Sequence, residues 1–502
     1  MRNLRQQHQH QQRVLRLSLV LSWRKFFATG RRVSLKGAGA ARKVRVYASH
    51  PFGTFDVDAR IPRLYITHGS MPHNESSSTM FRIGFVLILL VCVGVIGVSS
   101  PALRPAPRNE APQASPAPSS PAQSTEHTQT GIDVLEEQKF APLRGKRVGL
   151  ITNQTGVDSQ GRRTIDVLAH ADGVKLVALF SPEHGIAGQL DTANVANATD
   201  AATGLKIFSL YGDTRRPTDQ MLQGLDALVF DIQGAGVRFY TFITTMGYSM
   251  EAAAQHNISF IVLDRPDPLG GEKIQGPMLD PSRISFVGYF RLPVIYGMTF
   301  GELAKMFNAE NNLSLDLHVI SMKNWRRSQT FDQTGLTWIP PSPNLRTLNE
   351  AFLYPGVEIL QPAGVSVGRG TDAPFEQLGA PWIHSDVLLN SLNTKQVPGV
   401  HFTATSFTPS DGLYKGEACA GVKLEITDRV AFDSMRTGLE IADSLHRLHP
   451  ERFEVTKLMD LLASQTTVDG LIAYQPAAGI IASWADDLAQ FRTLRAKYLL
   501  YN

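Results

Sequence analysis

Four apolar, strand-like runs in the middle of the chain each end on a polar or acidic residue where a loop begins. Lys146–Ile151 leads to Asn153, and Lys175–Phe180 to Ser181-Pro182-Glu183-His184-Gly185. Ala227–Phe230 leads to Asp231-Ile232-Gln233-Gly234, and Ser259–Leu263 to Asp264-Arg265-Pro266. Helical patterns alternate with them. Ile132–Phe140 reads as a short helix, and Thr244–His256 as a longer one stopped by Asn257. Thr299 and Glu302 form a capping box ahead of Leu303–Ala309, in which hydroxyl and carboxylate satisfy free amides at a helix start. Leu315–Ile320 alternates as a further strand. Strands alternating with helices predict βαβ units and a mostly parallel sheet. Past Arg346 the texture changes, with Pro340-Pro341-Ser342-Pro343 marking the boundary. Two extended runs, His401–Phe407 and Val422–Ile426, stand among amphipathic helices that continue to Tyr501. The expected α/β architecture is a catalytic domain over 131–345 and a smaller α+β domain over 346–502, with a cleft between them.

Charge separates the amino-terminal region from the rest. At 502 residues two or more domains are expected. Residues 1–82 hold 15 Lys/Arg against 3 Asp/Glu, and the remaining 420 hold 34 against 42. The folded part is therefore acidic, which argues against a nucleic-acid partner. Ile83–Val98 is an apolar run preceded by Arg82. It is shorter than the roughly 20 residues a membrane-spanning helix needs and matches the apolar core of an export signal. Residues 80–102 are expected to be a signal peptide or signal anchor, with Met80 or Met71 as the natural start. Residues 1–79 then form a non-native or disordered basic extension, or else a cytoplasmic tail on the anchor. Both readings export the remainder of the chain, to the periplasm or beyond, with 83–98 as the one membrane contact. Residues 103–130, rich in Pro and Ala, read as an extended spacer. Of the two cysteines only Cys419 lies beyond the apolar run, so that part has no intramolecular disulfide.

Open parallel sheets bind ligands outside the carboxyl ends of their strands. The acids there, Glu183, Asp231 and Asp264, point to acid–base chemistry on a neutral or sugar-like substrate. A general acid needs a carboxyl that holds its proton, which a cleft supplies; Glu183, set by Pro182 and flanked by His184, is the first choice. Gly234-Ala235-Gly236 lacks the third glycine of a dinucleotide fingerprint, since Phe239 stands in its place. Arg238 and Tyr240 are better placed for ligand contact, or for burial. Arg265 is held in a proline-stiffened loop, and Gly368-Arg369-Gly370-Thr371 with Glu376 opens the second domain. Neither a metal-ligand spacing nor a serine-hydrolase elbow occurs, so no metal and no cofactor is expected.

Thr152-Asn-Gln-Thr-Gly156, Ser181-Pro-Glu-His-Gly185, Phe230-Asp-Ile-Gln-Gly234 with Arg238-Phe-Tyr240, Leu263-Asp-Arg-Pro266 with Gly270-Gly271, Pro341-Ser-Pro-Asn344 and Gly368-Arg-Gly-Thr371 stand in this order. Together they resemble the exo-β-N-acetylmuramidase family of peptidoglycan hydrolases, long catalogued only as a domain of unknown function. The resemblance runs from Gly131 to the carboxyl terminus. It implies a Rossmann-like first domain, a site in the cleft, and release of terminal N-acetylmuramic acid from non-reducing ends of peptidoglycan fragments. It also implies Glu183 as the catalytic residue. Asp231 and Asp264 compete for the second carboxyl role, with Glu376 as an outside candidate, unless the substrate's own acetamido group is the nucleophile. The lactyl carboxylate of muramic acid calls for a cation, and Arg238, Arg265 and Arg369 are candidates. Asn153, His184, Gln233, Tyr240, Asn344 and Thr371 complete the expected binding set. A non-catalytic muropeptide-binding protein and an exo-β-N-acetylglucosaminidase of the same architecture remain the rivals.

Overall fold

The computed structural model describes residues 127–502 and, upstream, one short antiparallel backbone pair, Ser49–His50 with Gly53–Thr54. Apart from that pair, the expected basic extension, the signal segment 80–102 and most of the spacer lie outside the described residues. From His127 onward the chain forms one compact unit.

The central sheet has seven strands. They are β1 (Arg147–Thr152), β2 (Lys175–Ser181), β3 (Ala198–Thr199), β4 (Lys206–Ser209), β5 (Ala227–Asp231), β6 (Ser259–Leu263) and, after the pair β7 (Gln275–Met278) and β8 (Pro293–Ile295), β9 (Leu317–Ile320). Their order is β9-β6-β5-β1-β2-β4-β3, parallel throughout except for β3 at one edge. The chain leaves β1 first toward β2 and later toward β5, so the order reverses between β1 and β5. The expected mostly parallel sheet is present.

Side-chain alternation sorts the strands onto two cores, because neighbouring residues of a strand point to opposite faces. Val148, Leu150, Leu179, Val229, Ile261 and Leu263 pack beneath α1 (Gly131–Glu137) and α2 (Thr164–Ala169). Ile151, Phe180, Leu228, Phe230, Phe260 and Val262 face the other way, against α4 (Phe242–Gln255) and α5 (Phe300–Glu310); the single-turn α3 (Asp219–Leu222) precedes β5. Burying both faces explains the near-continuous apolar runs. Helix boundaries follow local chemistry. The Thr299–Glu302 box is made in both directions, at 3.0 and 3.2 Å, and Asn257 turns left-handed just beyond α4.

The second apolar core continues into the smaller carboxyl-terminal domain. There an antiparallel sheet, β10 (Gln377–Ala380), β11 (Val400–Phe407) and β12 (Cys419–Ile426), has the order β10-β12-β11. Among its helices α6 (Leu348–Val357), α7 (Ser385–Lys395) and α8 (Ser434–Leu448) lead to four more, the last ending at Arg495. Helices α6 and α8 touch through glycines: a Cβ on Gly438 would lie 2.2 Å from the Gly356 carbonyl oxygen. Only hydrogen fits there. Five strands had no clear sequence pattern: β3, β4, β7, β8 and β10, of two to four residues each, are too short to show alternation.

Candidate active site

Glu183 lies two residues past β2 and opens into a cavity of about 420 Å³ between the two domains. The left-handed backbone of His184 (φ 69°) turns the chain away immediately after it. The His184 ring donates from Nδ1 to the Leu190 carbonyl at 2.6 Å; a carbonyl can only accept, so Nδ1 carries the proton. Thr241, at the start of α4, donates its hydroxyl to Glu183 Oε2. Tyr211, from the loop after β4, faces Glu183, and its phenol is pushed up to about 12 by burial and by that carboxylate. Arg215 lines the same wall.

The second domain and its connecting segment close the cavity. Ser342 and Leu345 come from the proline-rich boundary, Tyr354 from α6, Glu358 from the turn after it, and Arg369 and Phe375 from the glycine-flanked loop. Arg369 Nη2 donates to Glu358 Oε1 at 2.8 Å. Burial raises the Glu358 carboxyl above its usual range, against the pull of Arg369. Glu358 Oε2 is buried without a partner among the described residues. Asp191 stands nearby and accepts from Asn344 Nδ2 at 2.9 Å.

Of the expected site residues, Glu183, His184, Tyr240 and Arg369 line this cavity. The rest do not line it. Asp231 is fully buried in an ion pair with Arg265, at 2.5 and 2.9 Å, and also accepts from Thr164. Both its oxygens are spent on holding loops together. Asp264 is a structural junction: it accepts from Thr299 Oγ1 at 2.7 Å, Gly301 N at 2.8 Å and Tyr501 OH at 2.6 Å. Burial raises its carboxyl to about 6. Arg238 is 1% exposed and gives its guanidinium to the carbonyls of Pro277, Leu292, Leu461 and Leu462. Its Nε is buried without a partner among the described residues, and the side chain does not line the Glu183 cavity. Gly236 has a positive φ of 74°, and a Cβ there would lie 2.5 Å from Asp267 Oδ1; turn geometry and packing both call for glycine.

Asn153 accepts from Thr155 through both amide and hydroxyl, as a turn former. Thr371 donates to the Gly368 carbonyl at 2.6 Å and so shapes the loop bearing Arg369. Glu376 is half-buried outside the cavity and Asn344 acts through Asp191. Gln233 and Arg265 line a different cavity of about 910 Å³ at the reversal between β1 and β5, with Thr155, Asp158 and Lys323. The carboxylate on that wall, Asp158, is occupied by Arg162 and by the amides of Gln160 and Arg162. The larger cavity thus offers no free acid, and the smaller one does. Sequence reasoning missed Tyr211, Arg215, Glu358 and Asp191.

A parallel α/β sheet with a carboxyl-bearing cavity roofed by a second domain defines an enzyme of the two-domain α/β type. The model of the exo-β-N-acetylmuramidase NamZ N-terminal domain matches residues 148–349, and that of its C-terminal domain residues 352–501. The chain belongs to the exo-β-N-acetylmuramidase NamZ family. It is 45% identical over 377 residues to the peptidoglycan β-N-acetylmuramidase NamZ of Bacillus subtilis (strain 168), covering 74% of this chain and 91% of that one. Two crystal structures of DUF1343 family proteins from Bacteroides fragilis are similar in fold. One has a TM-score of 0.70 at 41% identity, the other 0.62 at 30%; each match covers 75% of this chain and 99% of the other.

Proposed function

We propose that this protein is an exo-acting glycoside hydrolase that releases terminal β-1,4-linked N-acetylmuramic acid from the non-reducing ends of peptidoglycan fragments, with Glu183 as general acid. Family membership supports the reaction. The observation that carries the residue is the Glu183 carboxyl opening into the interdomain cavity with one oxygen fixed by Thr241. Thr241 holds Oε2 and the Tyr211 phenol also reaches the carboxyl, so both orient the group that is to present a proton to the leaving-group oxygen. A volume of about 420 Å³ lies at the small end of ligand sites and suits one terminal sugar. Glu358 is the acidic residue that shares the cavity from the other domain and takes the second carboxyl role, stabilising charge at the anomeric centre or orienting the substrate's acetamido group.

The basic, then apolar, stretch ahead of residue 103 supports export to the periplasm or beyond, with residues 83–98 as signal or tether. Such a location suits cell-wall turnover. Fractionation of tagged cells would locate the protein; retention in the cytoplasm would overturn that part.

The decisive assay is release of 4-nitrophenol from its β-MurNAc glycoside by the full chain, beside Glu183→Gln and the β-GlcNAc analogue. Turnover of the muramoyl substrate, reduced about 10²–10⁴-fold in the variant, is expected. No turnover by folded wild-type protein would favour a muropeptide-binding role. Faster turnover of the GlcNAc glycoside would favour a glucosaminidase.

A further inference from the structure

Two arginines line the Glu183 cavity, Arg215 and Arg369. They are in different electrostatic situations. Arg369 is largely buried, and its charge is matched by Glu358 at 2.8 Å. Arg215 has no carboxylate or other hydrogen-bond acceptor paired with it among the described residues. It is instead held by aromatic rings: its guanidinium carbon lies 4.2 Å from the centroid of Phe286 and 5.6 Å from that of Tyr211. Those rings are 5.8 Å apart and tilted by 39°, forming a corner. The next residue shows the contrast. Arg216 lies over Tyr248 and is tied to Glu251, so its charge is already matched.

Stacking uses the face of a guanidinium and leaves the N–H donors on its edge free. Those donors match a carboxylate two at a time. Arg215 thus packs against the aromatic corner and lines the cavity, with no acceptor among the described residues taking its N–H donors. Glu183, Tyr211 and Arg215 line the same cavity, so a sugar seated against Glu183 lies beside this guanidinium. Resting on the proposed muramidase reading, we propose that Arg215 is the specificity-determining residue that binds the lactyl carboxylate of the terminal N-acetylmuramic acid. Arg238 and Arg265 are excluded because their guanidiniums lie elsewhere in the fold, and Arg369 because Glu358 already neutralises it.

The test compares full-length wild type, Arg215→Met and Arg215→Lys on the 4-nitrophenyl β-glycosides of MurNAc and GlcNAc, with the lactyl methyl ester of the former as a charge-free probe. Met keeps apolar cover over Phe286 without charge; Lys keeps charge without the planar fork. Arg215→Met is expected to raise KM for the muramoyl glycoside about 10–100-fold, the range of a lost charge-assisted hydrogen bond, with a smaller change in kcat. Its action on the GlcNAc glycoside and on the ester should match wild type, and Arg215→Lys should recover part of the loss. Where GlcNAc turnover is too slow to read, inhibition by free MurNAc against free GlcNAc supplies the same comparison. Equal loss on both sugars, or an unchanged preference for the muramoyl one, would overturn the assignment. Wild type that cleaves neither glycoside would refute the muramidase reading itself, which is a separate result.

Discussion

The Thr241 hydroxyl donates to Glu183 Oε2, joining the first turn of α4 to the loop after β2. A side chain fixed by the scaffold cannot rotate its carboxyl away from the bond it is to protonate. Thr241→Val keeps the shape and removes the donor. A hydrogen bond to a charged group is worth about 1.5–3 kcal/mol, so kcat should fall at least about tenfold while KM changes little. Thermal melting should stay close to wild type. A pure KM effect would mean that Thr241 acts on substrate rather than on Glu183.

Glu358 and Asp231 should respond in opposite ways to the same substitution. Glu358→Gln removes a carboxyl that faces the cavity but keeps an acceptor for Arg369, whose side chain is 24% exposed; kcat should fall roughly a hundredfold with a smaller loss of stability than in Asp231→Asn. Asp231→Asn breaks a fully buried ion pair with Arg265. Leaving one buried charge unmatched costs about 3–5 kcal/mol, so the loss should appear in urea denaturation. Catalytic loss without destabilisation in Asp231→Asn would restore it as a site residue.

Arg238 ties β7 and the segment before β8 to Leu461 and Leu462 in the second domain, and Leu461 itself lines the Glu183 cavity. Arg238→Met should cost at least about 3 kcal/mol, because buried carbonyls lose their donors. Near wild-type stability combined with lost muramoyl specificity would return Arg238 to the ligand set.

Asp267 should make stability depend on pH in an uncommon direction. Its Oδ2 is buried without a partner among the described residues, and burial raises its carboxyl to about 7. In the unfolded chain the group ionises at about 3.9. Between those values only the folded state holds the proton, so this group's contribution falls as pH rises and levels off above about 7. Asp267→Asn mimics the protonated form and does not titrate. The melting temperature of the variant relative to wild type should therefore be lowest near pH 4, rise through neutrality and plateau by pH 8. A difference that is flat with pH would refute this.

Strand ends were legible because an apolar run followed by a polar residue marks the point where a buried strand meets a loop. What covers each end was not. Asp264 reads like Glu183 in sequence, yet Tyr501, 237 residues away, donates to it and helps convert a candidate acid into a buried junction. Glu358 comes just after α6 in an apolar stretch with no motif around it, and Thr214-Arg215-Arg216-Pro217 reads as a solvated loop. Neither carries a local signal, since its partners, Arg369 and Phe286, come from separate segments.

The sequence by itself determined the alternation of strands and helices, the mostly parallel sheet, the second domain, and the placing of Glu183 at a strand end. These arise from periodicity and turn chemistry, which act over a few residues. Only the tertiary structure decided which strand-end acid meets a cavity, which arginine keeps its donors free, and that Glu358 comes into the site from the other domain. Those outcomes depend on whether a charged group finds a partner on folding, and the partners lie tens to hundreds of residues away.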